Sequence, residues 1–216
     1  MSTPVDIYWR KRLVKVKEAL EGNGFTVCLA EDGDAACRIV EQDILPAAPA
    51  SMSWGGSATV VGIGLYDRLK ALPSIEIIDT YDKSASREEI LERRRQALLV
   101  DLFVTGTNAV TEDGMLVNLD MIGNRVAALA YGPRRVIVLA GRNKIVAGLG
   151  EAMARIKEFA APVNAIRLGR KTPCAATGRC QECKSPERIC NVWAITEKSF
   201  PKGRITVVLI NKDLGF

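Results

Sequence analysis

Four cysteines lie close together in residues 172–191, TPCAATGRCQECKSPERICN. Their spacing is Cys174-x5-Cys180-x2-Cys183-x6-Cys190, so a single CxxC pair is flanked by one cysteine on each side. A CxxC pair readily places two sulfurs on one metal, and metal binding stabilises the thiolate form. The pattern predicts a four-thiolate site that holds an iron–sulfur cluster or zinc. Free surface thiols and a redox-active CxxC are the alternatives.

The 216 residues include no histidine. This excludes Ser-His-Asp and Cys-His nucleophiles, mixed Cys/His zinc sites and histidine ligation of haem. An acid or base must therefore be Asp, Glu, Lys, Tyr or Cys. The two remaining cysteines, Cys28 and Cys37, are interpreted as small buried hydrophobic residues.

Alternating apolar runs and amphipathic segments predict the elements that position these groups. We expect strands over 25–30, 51–54, 75–79, 101–105, 136–140 and 205–210, and helices over 6–22, 34–44, 86–99, 124–131 and 150–161. A glycine turn at 55–56 leads into a further helix, and Asp113-Gly114 predicts a hairpin over 108–118. This order indicates an α/β fold with a largely parallel sheet covered on both faces. We expect one domain over 1–216, with the cysteine-rich segment as an insertion before the last strand.

Ligands of such sheets bind where strands end at their carboxyl edge, and three loops there carry polar groups. The first holds Gly55, Gly56, Ser57 and Thr59, whose glycines, hydroxyls and free N–H groups suit a carboxylate or phosphate. The alternative is a plain strand-to-helix turn with Ser57 as the N-cap.

The second loop region, residues 105–125, leaves a strand, forms the hairpin and enters a helix. Its candidate residues for a ligand site are Gly106, Thr107, Asn108, Glu112, Asn118, Asp120, Gly123, Asn124 and Arg125. Glu112 and Asp113 as turn residues, and Asp120 or Asn124 as a helix cap, form the alternative. The third loop holds Arg142, Asn143 and Lys144, where a cation could neutralise an anion or simply face solvent.

The net charge of +5 weakly favours an anionic ligand. The basic runs at 10–12 and 93–95 lie beside acidic residues and are interpreted as solvated helix faces, which argues against a nucleic-acid partner. The glycine loops match neither GxGxxG nor a P-loop, so no nucleotide motif is present. No signal peptide or membrane span is expected, and the predicted location is cytoplasmic, where reduced thiols are the rule.

The stretches GGSAT, TGTNAVTEDGMLVNLDMIGNRVAALAYGPRRVIVLAGRNKIV and ITVVLINKDLGF, with the cysteine segment, resemble the LUD-domain family of lactate-utilisation proteins. The resemblance covers nearly the whole chain. It implies a three-layer α/β/α fold of the type found in ribose-5-phosphate isomerase, glucosamine-6-phosphate deaminase and the CoA transferases. It also implies a small-anion site at the strand ends. Some members of the family belong to a bacterial system that oxidises L-lactate to pyruvate with iron–sulfur partner subunits.

The resemblance thus implies a role in organic-acid utilisation, with L-lactate as the expected substrate, as a subunit or accessory of an iron–sulfur redox system. Isomerases of the wider superfamily carry an acidic residue in a run like GADxxxxxGxxxN, where this chain has Asn108, and an amide cannot transfer a proton as a carboxylate does. A CoA transferase needs a nucleophilic glutamate, for which Glu112 is the candidate in this loop. The alternatives are a stand-alone enzyme acting on a phosphorylated or CoA-linked metabolite and a non-catalytic zinc-binding interaction module.

Overall fold

The computed structural model of the chain describes residues 3–47 and 49–216. The helices are α1 (Pro4–Gly22), α2 (Gly33–Arg38), α3 (Ala58–Gly62), α4 (Leu65–Lys70), α5 (Arg87–Gln96), α6 (Asn124–Ala130), α7 (Leu149–Arg155), α8 (Ala161–Arg167) and α9 (Pro173–Thr177). The strands are β1 (Thr26–Ala30), β2 (Ser51–Trp54), β3 (Glu76–Ile78), β4 (Leu102–Gly106), β5 (Ala109–Thr111), β6 (Leu116–Asp120), β7 (Arg135–Gly141), β8 (Ile145–Val146), β9 (Val192–Thr196) and β10 (Ile205–Ile210). Within the described ranges, no helix has the length and apolar character to cross a membrane.

Six strands form one parallel sheet in the order β1-β10-β7-β4-β2-β3. All six strands were expected from the sequence, and the predicted parallel sheet is confirmed. The central strands β4, β7 and β10 are almost entirely buried, as expected for a sheet that is covered on both faces. The carboxyl ends of all six strands therefore lie along one edge of the sheet.

The two faces of the sheet support separate hydrophobic layers. Val136 and Val138 of β7 pack with α1 and α6 on one face, whereas Ile137 and Leu139 pack with α2, α3 and α4 on the other. This period of two along a strand is what a sheet buried on both faces requires. The result is the expected three-layer α/β/α arrangement, in which Cys37 is fully buried and Cys28 is half-buried.

The hairpin forms around Gly114, whose φ of +88° favours glycine, but its strands do not join the parallel sheet. They belong to a second sheet of order β8-β5-β6-β9 that the sequence analysis did not predict. One face of this small sheet packs on the main core, and the other packs on Ala152 of α7 and on Ile156, which follows α7. The cysteine-rich segment leads into β9 of this second sheet, and the chain then returns to the main sheet as β10.

Several helices differ in length from the predicted ones. The helix expected after Gly56 is divided into α3 and α4 at Gly64, which has a φ of +73°. The helix expected over 34–44 is α2 followed by a π-helical turn, Ile39–Ile44. The helix expected over 150–161 continues through a π-helical turn into α8, because Pro162 stands in the first turn of α8, where its missing N–H costs little.

Candidate functional site

A pocket of about 790 Å³ opens at the carboxyl ends of β2 and β4. These neighbouring strands continue in opposite directions, because β2 connects to the edge strand β3, whereas β4 connects to β7 on its other side. Such a switch point leaves a crevice between the two outgoing loops. Residues 56–58 line the pocket on one side and residues 106–108 on the other.

The loop after β2 is both a helix start and a wall of the pocket. Ser57 Oγ accepts a hydrogen bond from Val60 N (3.2 Å), so Ser57 is the N-cap of α3. Its own N–H donates to Tyr81 Oη (3.0 Å), and Tyr81 in turn donates to Gly55 O (2.9 Å). A Cβ at Gly106 would lie 2.5 Å from Ser57 Oγ, which explains the glycine at the end of β4. Burial raises the pKa of the Tyr81 phenol, so it remains a neutral hydrogen-bonding group.

Arg125 is a buried hub beside the pocket. Its Nε and Nη2 donate to Asp120 Oδ1 (2.9 and 2.6 Å), and its Nη1 donates to Asn118 Oδ1 (2.9 Å). Asp120 Oδ2 also accepts from the backbone N–H of Arg125 (3.1 Å) and from that of Val126 (3.1 Å), so Asp120 caps the first turn of α6. Most N–H groups of the Arg125 guanidinium thus donate to groups of the protein itself. The main role of Arg125 is therefore to hold the loops in place.

The hydrogen bonds of Asn108 explain the amide at this position. Its Oδ1 accepts from Arg125 Nη2 (2.8 Å) and from Leu119 N (2.9 Å). Its Nδ2 donates to no acceptor in the described part of the chain, and Asn108 lines the pocket. The side chain therefore offers an oriented N–H donor to a ligand oxygen.

Lys144 lies at the base of the pocket, directly after β7. It is only 3% exposed, and its Nζ donates to Thr59 Oγ1 (2.9 Å) and Thr107 O (3.0 Å). Among the described residues, no carboxylate lies within ion-pair distance of Nζ, and the charges that act on it are those of Arg155 and Arg125. Burial, followed by these two positive charges, lowers the pKa of Lys144 to about 7.

The comparison of this sequence with protein families is decisive for classification. The profile of the LUD domain matches residues 13–210, which include both sheets, the pocket loops and the cysteine-rich segment. The chain belongs to the LUD-domain family. No curated protein matches it in sequence.

Solved structures resemble this LUD-domain protein only distantly. A DUF162 family protein from Deinococcus radiodurans is 14% identical, with a TM-score of 0.49, over 94% of this chain and 97% of that one. The β subunit of eIF2B from Chaetomium thermophilum is 18% identical, with a TM-score of 0.29, over 65% of this chain and 44% of that one. The 5-methylthioribose 1-phosphate isomerase from Pyrococcus horikoshii is 14% identical, with a TM-score of 0.28, over 64% and 40%. With TM-scores below 0.5, these likenesses add nothing to the family assignment.

The pocket of the LUD-domain protein is surrounded by cations that the sequence analysis did not select. Arg87 and Arg94 come from α5, and Arg167 and Arg170 come from the end of α8 and the turn after it. Among the described residues, none of these four arginines has a carboxylate within ion-pair distance, and the buried Nε of Arg170 has no hydrogen-bond partner. The run 93–95 was interpreted as a solvated face, but Arg94 points to the pocket while Arg93 binds Asp82.

Most of the ligand-site residues predicted from the sequence line the pocket, and the rest support its wall. Those that line it are Gly56, Ser57, Gly106, Thr107, Asn108, Asp120, Asn124, Arg125 and Lys144. Gly55, Thr59, Asn118 and Gly123 lie behind this wall, where Gly123 begins α6 with a φ of +87°. Asn143 bonds Leu214 N (3.0 Å) and Gly215 O (3.1 Å), which fixes the last residues so that Phe216 lines the pocket.

Two predicted groups lie elsewhere. Glu112 is exposed at the hairpin turn and forms an ion pair with Arg12 of α1, outside the pocket lining. The structure therefore does not bring the expected acid or nucleophile to the pocket, because the hairpin turns away into the second sheet. Arg142 pairs with Asp6 (2.9 Å) and Asp213 (3.1 Å), so its charge serves the fold and not an anion.

The four clustered cysteines are half-buried free thiols. Arg188 joins part of the segment by donating to Cys183 O (2.7 Å) and Cys190 O (2.9 Å). Thiolate ligands are the donors that zinc and iron–sulfur clusters take, so the residue types fit such a group. Their arrangement does not, because no three His, Cys, Asp or Glu side chains in the described residues are gathered around one point. Metal binding by these cysteines therefore stays a prediction.

The cysteine-rich segment touches the pocket. Ile189, which precedes Cys190, lines the pocket and is 7% exposed. Asn191 holds the segment against the loop after β6, because its N–H donates to Asp120 O (2.9 Å) and its Nδ2 to Met121 O (3.0 Å). A change in the conformation of this segment would therefore reach the pocket wall through Ile189.

Proposed function

We propose that this LUD-domain protein binds a small anionic metabolite in the pocket at the β2/β4 switch point. The observation that carries the proposal is the excess of cations there, since four arginines line one pocket without a carboxylate partner among the described residues. Like charges near one another are unfavourable unless an anion neutralises them. The arginine guanidinium groups can form paired hydrogen bonds with carboxylate or phosphate oxygens.

A short-chain organic acid is the first candidate ligand, and L-lactate is the expected one. One support is that the chain belongs to the LUD-domain family, and the resemblance to this family implies a role in lactate utilisation. The other support is the cationic lining of the pocket. The protein then acts in the cytoplasm as a small-anion-binding subunit or accessory of an iron–sulfur redox system. The free Nδ2 of Asn108 is suited to a carboxylate or hydroxyl oxygen of such a ligand.

A phosphorylated metabolite is the second candidate, and the size of the pocket favours it. The volume of about 790 Å³ exceeds what a three-carbon acid fills, and Arg87, Arg94, Arg167 and Arg170 supply more charge than one carboxylate needs. A phosphate group, with its two negative charges and three free oxygens, uses several guanidinium groups at once.

Arg94→Gln is expected to weaken anion binding about fivefold to tenfold, because one charge-assisted hydrogen bond of a partly exposed side chain is lost. Isothermal titration of the full chain with L-lactate, pyruvate and inorganic phosphate measures the effect and ranks the two candidate classes. The matched control is Arg95→Gln, one residue further along α5, whose side chain is 73% exposed and pairs with Glu92. Equal loss in both variants, or no binding of any of the three anions, would contradict the proposed site.

We also propose that the cysteine-rich segment binds a metal through Cys174, Cys180, Cys183 and Cys190, with an iron–sulfur cluster as the first expectation and zinc as the second. The thiols are not grouped as they stand, so loading requires the segment to draw them together. The segment contains only the short helix α9 between residues 172 and 191, and this leaves its backbone free to adjust. The family resemblance adds iron–sulfur partner subunits as the expected partners.

Purification without oxygen is expected to yield brown protein with about four irons and matching sulfide per chain, as a four-cysteine cluster requires. Replacing both Cys180 and Cys183 by serine is expected to remove most of the iron and the visible absorption. Cys28→Ser, a half-buried thiol of the main fold, is the control and should retain both. One zinc per chain and no colour would show that the segment binds a structural zinc instead of an iron–sulfur cluster. A metal-free protein would refute metal binding.

A further inference from the structure

Lys144 has an environment that disfavours an ammonium group. Only 3% of the residue is exposed, and no carboxylate of the described chain lies within ion-pair distance of its Nζ. The charged groups that act on it are cationic, Arg155 of α7 and Arg125 of α6. Asp120, the one Asp or Glu among the described residues that line the pocket, is already bound to Arg125. Burial of an unpaired charge is costly, and these two arginines add to the cost.

The hydrogen bonds of Lys144 match a neutral amine. A neutral amine has two hydrogens and one lone pair, and Nζ has two acceptors, Thr59 Oγ1 (2.9 Å) and Thr107 O (3.0 Å). When both hydrogens are donated, the lone pair remains unused. The side chain lines the pocket, and it is held from α3 and from the loop after β4, so the amine is placed before a ligand arrives. A desolvated lysine among cations is a well-known arrangement for an activated nucleophile.

We propose that Lys144 forms an imine with the carbonyl carbon of a small anionic carbonyl compound bound in the pocket. The Nζ lone pair attacks the carbonyl carbon and forms the C–N bond. Both amine hydrogens then leave with the carbonyl oxygen as water, so the step needs no oxidant or reductant. The proposal rests on the anion site proposed above, because the pocket arginines hold the carboxylate or phosphate of the same ligand.

Asn108 completes the geometry for this step. Its unused Nδ2 lies in the same pocket wall as Thr107, whose carbonyl oxygen accepts from Lys144. An N–H donor at this place can polarise the carbonyl oxygen and stabilise the negative charge that develops on it. Arg125 acts as a positioning residue, because its Nη2 binds Asn108 Oδ1 (2.8 Å) and thereby directs the amide nitrogen to the ligand.

Reductive trapping tests the imine directly on the full chain. We would incubate the protein at pH 7 with sodium cyanoborohydride and either pyruvate or glycolaldehyde phosphate, and locate the adduct by peptide mass mapping. For pyruvate, the expected product carries the mass of one pyruvic acid less one oxygen atom on Lys144. Trapping at Lys144 is expected to be more than about tenfold faster than at exposed lysines, because an ammonium group in water holds its proton at pH 7 and leaves very little neutral amine. The faster of the two probes identifies the anionic group.

The pH dependence of labelling separates a buried amine from an accessible surface lysine. The rate at Lys144 is expected to rise up to about pH 7 and then level, since its pKa is lowered to about 7 by burial and by Arg155 and Arg125. Rates at exposed lysines should continue to rise. Lys144→Arg, which keeps a cation but cannot form the imine, should lose the fast adduct, whereas Lys202→Arg should retain it. The wild-type peptide map decides the question even where a variant folds poorly.

Titration of the same two probes by calorimetry separates this inference from the anion site. Binding of either probe with no adduct on Lys144, or with labelling no faster than at surface lysines, overturns the imine and leaves the anion site intact. Absence of both binding and labelling overturns the two together. A fast adduct at Lys144 that inorganic phosphate slows by competition supports both.

Discussion

Replacing Arg125 by methionine is expected to lower the free energy of unfolding by about 3–5 kcal/mol, because it leaves the carboxylate of Asp120 buried without its cation. Asp120 and Arg125 are 8% and 7% exposed, and Arg125 also bonds the side chains of Asn108 and Asn118. Loss of the guanidinium group therefore disconnects the loop after β4 from β6 and α6. Urea denaturation followed by circular dichroism measures the change.

Arg10→Met is the matched control for this prediction. Arg10 forms a paired interaction with Glu31, with both distances at 2.8 Å, but the two side chains are 46% and 60% exposed. An exposed pair of this kind contributes little to the free energy of unfolding, because water and salt screen the two charges. A loss in Arg125→Met that is no larger than the loss in Arg10→Met would show that the buried network does not stabilise the loops.

Raising the pH from about 7 to 8.5 is expected to increase the free energy of unfolding of the wild type by about 1.5 kcal/mol through Lys144. The pKa of Lys144 is lowered to about 7 in the folded protein, with burial as the main cause, whereas it returns to its ordinary value of 10.5 on unfolding. Between these values the unfolded chain holds more protons than the folded one, so stability rises with pH. Well below pH 7 Lys144 is protonated in both states, and the destabilisation is fully present.

The measurement is a series of urea denaturation curves at pH steps across this range for the wild type and for Lys144→Met. The variant should lack the part of the rise that Lys144 causes, and Lys202→Met, at an exposed position, should follow the wild type. The range ends at pH 8.5 because burial raises the pKa values of Cys28, Cys37 and Cys190, and their ionisation in the unfolded chain acts in the opposite direction at higher pH. Parallel curves for the wild type and Lys144→Met would refute the buried neutral amine.

The two experiments probe different parts of one assembly. Arg125 connects Asp120, Asn118 and Asn108, and Asn108 and Thr107 follow directly after β4. Thr107 in turn accepts from Lys144, so the loop joins the hub to the amine. A ligand that neutralises the pocket cations should stabilise the wild type at pH 7, since binding to the folded state alone raises its stability.

Local sequence patterns were sufficient for the parts of this protein that depend on neighbouring residues. Runs such as Val136–Ala140 and Ile205–Ile210 predict buried strands, because a strand with both faces covered is apolar along nearly its whole length. Asp113-Gly114 predicts the hairpin turn, because its geometry needs a positive φ. The loops after β2, β4 and β7 could also be chosen in advance, because parallel strands all present their carboxyl ends at one edge.

Pairings between distant residues needed the tertiary structure. The two sheets were not separable from sequence, because β8 has only two residues and β9 follows the cysteine-rich segment without a clear boundary signal. Glu112 was the expected nucleophile, but Lys144 is the nucleophilic side chain that lines the pocket. This outcome depended on the direction in which the hairpin turns, and hydrophobic periodicity carries no information on that direction.

The sequence by itself determined the fold class, the family and the edge of the sheet where the pocket lies. Only the tertiary structure decided that Arg94 and Arg170 converge on this pocket, that Arg125 is bound by Asp120, and that Lys144 meets Thr59 from 85 positions away. The physical reason is that strand and turn formation depend on local backbone geometry, whereas charge and pKa at a site depend on the neighbours that the packing brings together.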